Sequence, residues 1–149
     1  MTRAGLSSSR WYIALGFLAF FLSGAAAAEQ EVTKERLSLT LLSSTQQELV
    51  CRITLQFKNE LNVEIKNLAA EIVLLDKAGL ARDFLVLDGG SLTKDKRRIR
   101  QFDFQETRCA DLSEILINDV IRCEGEGLNP RLCAARLSLT SSADIKLGL

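Results

Sequence analysis

The 149-residue chain contains no histidine, a single proline (Pro130), and one each of Trp, Tyr and Met. Trp11, Tyr12 and Met1 all fall in the first 28 residues. Residues 29–149 therefore hold no His, Trp, Tyr or Met, and their only aromatics are Phe57, Phe84, Phe102 and Phe104. These absences exclude histidine general-base catalysis, histidine metal centres, haem ligation by His or Met, and Trp or Tyr stacking on bases or sugars. Residues 29–149 also lack Gly-x-Ser-x-Gly, Ser-x-x-Lys, a phosphate-cradling glycine loop and a dinucleotide fingerprint. The expectation is a protein that is not an enzyme and has no cofactor. The one catalytic alternative left open is a hydrolase working through carboxylates.

The N-terminus carries Arg3 and Arg10 and no acid. An apolar run over 11–22 follows, then Ser23-Gly24 and Ala25-Ala26-Ala27-Ala28 ahead of Glu29. A basic start, a short apolar helix and small residues at the end have the layout of a secretory signal peptide, with cleavage expected after Ala28. The run is too short and too diluted by alanine for a span of about 20 apolar residues. No stable membrane span is expected after cleavage, and the location expected is the periplasm or the cell exterior. What remains, 29–149, carries 17 basic and 19 acidic side chains, a net charge of −2. Its expected division is a polar lead-in over 29–36 and one domain over 37–149, a length suited to a single core.

From residue 37 the apolar period is two. Leu37, Leu39 and Leu41 alternate with Ser38, Thr40 and Leu42, and 43–47 reads as a turn. Leu49, Cys51, Ile53, Leu55 and Phe57 then face one way, with Val50, Arg52, Thr54, Gln56 and Lys58 facing the other. A strand over 68–75 puts Leu68, Ala70, Ile72 and Leu74 on one face. Asp76-Lys-Ala-Gly79 fits a hairpin loop with glycine at positive φ. Strands are predicted at 80–87, 98–104, 115–123, 137–140 and 145–147. Asp88-Gly89-Gly90 reads as a turn, 109–114 as one helical turn, and 124–132 as a glycine-bearing loop. Seven or eight short strands in this length predict an all-β, antiparallel sandwich.

Phe57-Lys-Asn59, then Ile72-Val-Leu-Leu-Asp-Lys-Ala-Gly79, then a charged turn into Arg100-Gln-Phe-Asp-Phe104 resemble exported immunoglobulin-like modules of the FxLYD type, found in bacterial envelope proteins. The resemblance covers residues 49–104 and implies an immunoglobulin-like sandwich without catalytic residues. The chain lacks the Phe-x-Leu-Tyr-Asp signature and adds a cysteine-bearing C-terminal third.

Cys51, Cys109, Cys123 and Cys133 are even in number, and gaps of 58, 14 and 10 without any histidine suit disulfides rather than a metal or redox site. Strand direction predicts their pairing. If strand 98–104 lies antiparallel beside the Cys51 strand, Cys109 returns to Cys51. The next strand then carries Cys123 to the far end, where Cys133 precedes the following strand. A 109–123 bridge would have to span the length of a strand, about 30 Å at 3.3 Å per residue.

Two charged clusters remain. Lys94, Lys96, Arg97, Arg98 and Arg100 fall within seven residues, opposed only by Asp95. They form either a docking patch for an anionic partner or a solvated loop that discourages edge pairing. Nucleic acid is excluded as a partner by the net negative charge and the lack of interleaved aromatics. Glu124 and Glu126, with Asp119 nearby, offer too few ligands at too irregular a spacing for a Ca²⁺ loop, so no metal is expected. The function expected is a disulfide-stabilised binding or assembly module of the cell envelope. Its partner would be another envelope protein or an anionic envelope component. The alternative is a structural accessory subunit of an envelope complex.

Overall fold

A computed structural model describes residues 35–149. The expected signal peptide, its cleavage point and most of the lead-in lie outside the described residues. Eight strands follow in order: β1 (Leu37–Gln47), β2 (Val50–Asn59), β3 (Ile65–Asp76), β4 (Ala81–Leu92), β5 (Arg97–Phe104), β6 (Leu112–Glu124), β7 (Leu137–Ser141) and β8 (Lys146–Gly148). A short 3₁₀ turn, Cys109–Asp111, precedes β6, and one helix, α1 (Pro130–Ala135), separates β6 from β7. The strands form two sheets, ordered β5-β2-β1-β7 and β4-β3-β6-β8. The fold is an all-β sandwich. Most pairings are antiparallel, but β7 runs parallel to β1 and β8 parallel to β6. α1 lies between β6 and β7, so β7 enters the other sheet in the same direction as β1.

Alternation dictates the core. Cys51, Ile53, Leu55 and Phe57 of β2 are buried, and so are Leu37, Leu39 and Leu41 of β1. From the facing sheet come Leu68, Ile72 and Leu74 of β3 with Ile115, Ile117 and Val120 of β6, completing one apolar cluster. Leu49 leaves the expected buried face. It sits in the β1–β2 turn, 72% exposed, beside Glu48 at φ 48°.

Three local expectations are corrected. Residues 43–47 are strand rather than turn: a bulge between Leu41 and Ser43 shifts the register, and β1 continues as a solvent-facing ribbon. Gln46 holds that ribbon in place by accepting the Cys109 N–H at 2.7 Å and donating to the Glu48 carbonyl at 2.8 Å. Asp88-Gly89-Gly90 is a bulge inside β4, where Asp88 Oδ1 accepts the Gly90 N–H at 2.8 Å and Gly90 adopts φ 61°. Gly89 faces the core, where a Cβ would meet Phe57 and Leu68 at 3.2 and 3.0 Å. The predicted loop over 124–132 ends in α1, capped by Asn129 Oδ1, which accepts the Leu132 N–H at 2.9 Å, with Pro130 in the first turn.

The Asp76–Gly79 loop forms as predicted. Asp76 Oδ1 accepts the N–H groups of Ala78 and Leu80, and Gly79 takes φ 77°. The two disulfides join Cys51 to Cys109 and Cys123 to Cys133, with Cα separations of 5.0 and 6.5 Å. This is the pairing the strand directions require. β5 lies antiparallel to β2 with Phe104 opposite Cys51, which returns Cys109 to the same end.

Glu60, just past β2, ties the starts and ends of the first hairpin together. Its carboxylate accepts from Arg36 Nε at 2.8 Å, Lys58 Nζ at 2.6 Å and Ser38 Oγ at 2.8 Å. Hydrogen bonds from Arg36, then Lys58, lower its pKa from 4.5 to about 2. A lowered folded-state pKa stabilises above the unfolded value and is lost as pH falls through the folded one. The partly exposed partners screen the gain to about 1 kcal/mol. Wild type should therefore exceed Glu60→Gln in stability by a constant margin above pH 4.5, converging with it toward pH 2. Denaturation curves across that window measure it, and a margin unchanged at low pH would contradict this role.

Candidate functional site

β4 and β5 are the edge strands of their two sheets, consecutive in sequence and joined by a short turn over 93–96. They therefore rim the same open side of the sandwich. The turn is held from beneath by Asn59. Its backbone carbonyl accepts the Asp95 N–H at 2.8 Å, and its own N–H donates to the Lys96 carbonyl at 3.2 Å. Asp95 takes φ 59° to close the turn. The Asn59 side chain is wholly buried. Nδ2 donates to the carbonyls of Val63 and Leu92, both at 2.9 Å, and Oδ1 accepts the Leu61 N–H at 3.0 Å.

The register of β5 against β2 sorts the basic run. Phe104, Phe102, Arg100 and Arg98 stand opposite Cys51, Ile53, Leu55 and Phe57, all core residues. Arg98 and Arg100 are thus on the inner face of an edge strand. Both reach across the opening to β4. An Arg100 guanidinium nitrogen fills the space where a Cβ on Gly90 would sit, and Arg98 Nη1 lies 3.5 Å from Ser91 Oγ. The Arg100 Nε is buried without a hydrogen-bond partner among the described residues. Lys94 and Lys96 are exposed in the turn, and Arg97 begins the outer face of β5.

None of these five cations has a carboxylate among the described residues within 4.0 Å, whereas Arg36, Arg52, Lys58, Arg82, Arg108 and Arg136 all form ion pairs. The structure thus gathers the basic run, with Asp95 the one acid among it, at the β4–β5 turn and along both faces of β5. Farther along the same opening the lining is part apolar and part polar, with Gln101 and Asp103 beside the leucines and phenylalanines. A 440 Å³ cleft runs between Leu85, Val86 and Leu87 of β4 and 101–104 of β5. Phe84 and Val86 on the outer face of β4 are 66% and 58% exposed, and Ile99 on the outer face of β5 is 59% exposed. The basic signal was legible in sequence. The exposure of Phe84, Val86 and Ile99 was not, because they look like ordinary strand residues until their strands are placed at an edge.

The acidic cluster does not assemble. Glu124 ends β6, Glu126 lies in the following loop, and Asp119 stands on β6 opposite Glu71 of β3; all three are exposed. Among the described residues no three His, Cys, Asp or Glu side chains are grouped to hold a metal ion, and no helix is long and apolar enough to cross a membrane. Compared with protein-family models, curated proteins and solved structures, the chain matches none.

Proposed function

We propose that the protein is an exported binding or assembly module of the cell envelope, and that it docks an anionic partner through the open β4–β5 side of its sandwich. The observation that carries this is the concentration of five cations, Lys94, Lys96, Arg97, Arg98 and Arg100, in one turn and strand with no ion pair among the described residues, Arg98 and Arg100 facing the opening itself. Clustered like charges without ion-pair partners raise the local potential and steer an oppositely charged partner. Export is supported by the signal-peptide layout and by two disulfides, which persist in oxidising compartments. The resemblance to FxLYD-type modules fits a non-catalytic role.

Isolation of the exported protein from its own host tests both parts. The first residue should be Glu29, and a start at Met1 or Thr2 would remove the export signal. A partner retained by the wild type should be lost by the Lys96→Gln, Arg97→Gln, Arg98→Gln variant. Equal retention by both would end the docking proposal.

A further inference from the structure

On the anionic docking proposed above, we infer that the occupant of the opening is an extended acidic peptide strand that adds to the free edge of β5. It would place alternate side chains between the two sheets, apolar ones over the cleft and carboxylates against Arg98 and Arg100. Among the described residues β5 has one neighbour, β2, so the backbone groups along its other side have no strand partner there. Such an edge binds an extended peptide through its main chain, and the side chains of every second residue supply specificity.

The inner face of β5 dictates which side chains those are. A strand lying beside it repeats its alternation, so the residues facing inward meet Phe104 and Phe102 at one end and Arg100 and Arg98 at the other. At the first end stands the cleft with Leu85 and Leu87, whose lining also includes Gln101 and Asp103. At the second the two guanidiniums lie against Gly90 and Ser91 without a carboxylate. The partner pattern that satisfies both ends has two apolar and two acidic residues at alternate positions.

Inward charges on an edge strand also prevent pairing with unsuitable strands. That property selects a partner here. A second copy of this chain pairing β5 to β5 would bring the two basic runs together if parallel, or lay Arg98 and Arg100 of each copy against Phe104 and Phe102 of the other if antiparallel; a wholly apolar strand would likewise desolvate both arginines with nothing to compensate them. Only an acidic strand converts both penalties into attraction, since specificity rests on repulsion of the wrong partner as much as on attraction of the right one. A membrane surface would use the cations but leave the free strand edge and the cleft between β4 and β5 unused.

The test uses the oxidised protein and an end-capped peptide of eight residues, matched to the length of β5. Its inward positions are valine, leucine, glutamate and glutamate, with threonine between them; a second peptide reverses the order, since β5 accepts a parallel or an antiparallel neighbour. One order should bind in calorimetric titration. Arg98→Gln with Arg100→Gln, or glutamine for both glutamates, should weaken it at least about tenfold, equivalent to about 1.4 kcal/mol. N-methylation of one alternate set of peptide nitrogens should abolish binding while methylation of the other set leaves it intact, because only one edge of the peptide pairs with β5. Indifference to both methylations would overturn strand addition. Vesicles of phosphatidylcholine with phosphatidylglycerol separate the two proposals. If they bind in an Arg98- and Arg100-dependent way and neither peptide does, the strand occupant falls and anionic docking stands. If neither peptide nor vesicle binds, both fall.

Discussion

Replacing Cys51 and Cys109 together by alanine should cost the domain about 4 kcal/mol, against about 3 kcal/mol for Cys123 and Cys133. The difference comes from loop length: the first bridge closes 58 residues of chain and the second 10, and a longer closed loop removes more entropy from the unfolded ensemble. Packing adds to both figures, because Cys51 and Cys133 are fully buried and alanine leaves a small void at each. Domains of this size hold about 5–15 kcal/mol in all, so loss of both bridges should leave little folded protein. Urea denaturation of the two double variants gives the ranking. A larger loss from the short loop would show that native packing, not chain closure, dominates. Non-reducing peptide mapping checks the connectivity, and a 51–133 or 109–123 linked peptide would refute the strand order.

Asn59→Ala should destabilise by about 3 kcal/mol, since each buried group left unpaired costs about 1–3 kcal/mol. The substitution strands two carbonyls, of Val63 and Leu92, and the Leu61 N–H. Asn59→Asp sharpens the prediction. It keeps the acceptor for Leu61 but turns an oxygen toward the two carbonyls that Nδ2 now serves, so it should cost at least as much as alanine near neutral pH despite its matching shape. Burial against two carbonyl oxygens raises the pKa of the new carboxyl, so its penalty should grow as pH rises from about 4. A harmless, pH-independent Asn59→Asp would show that the side-chain network does not hold this corner. The Nδ2 bond to the Leu92 carbonyl also fixes the end of β4 where the 93–96 turn begins, so Asn59→Ala should weaken binding at the basic rim without removing a charge.

Much of the sandwich was legible because its signals are local. The sorting of Cys51, Ile53, Leu55 and Phe57 onto one face needs only the two-residue period of a strand. The Asp76–Gly79 loop is equally local, since the Asp76 carboxylate bonds to N–H groups two and four residues on. The disulfide pairing was readable once strand direction was assumed, because a strand delivers its cysteine to one end or the other. α1 was missed although its signal is present: Asn129-Pro130 is a helix cap followed by a first-turn proline.

The amino-acid sequence by itself determined the all-β class, the buried face of β2 and the clustering of positive charge over 94–100. Tertiary structure decided the rest. Residues 43–47 are polar and turn-like, yet they remain strand because β2 pairs with them and Gln46 finds the Cys109 N–H, 63 residues away. Gly89 and Gly90 read as a turn, yet they form a bulge where side chains from β2, β3 and β5 come too close for a Cβ. Whether Arg98 and Arg100 face water or the sandwich interior depends on the register of β5 against β2, and whether their strand is an edge depends on sheet order. Both are set by pairings between segments far apart in the chain, which no local pattern encodes.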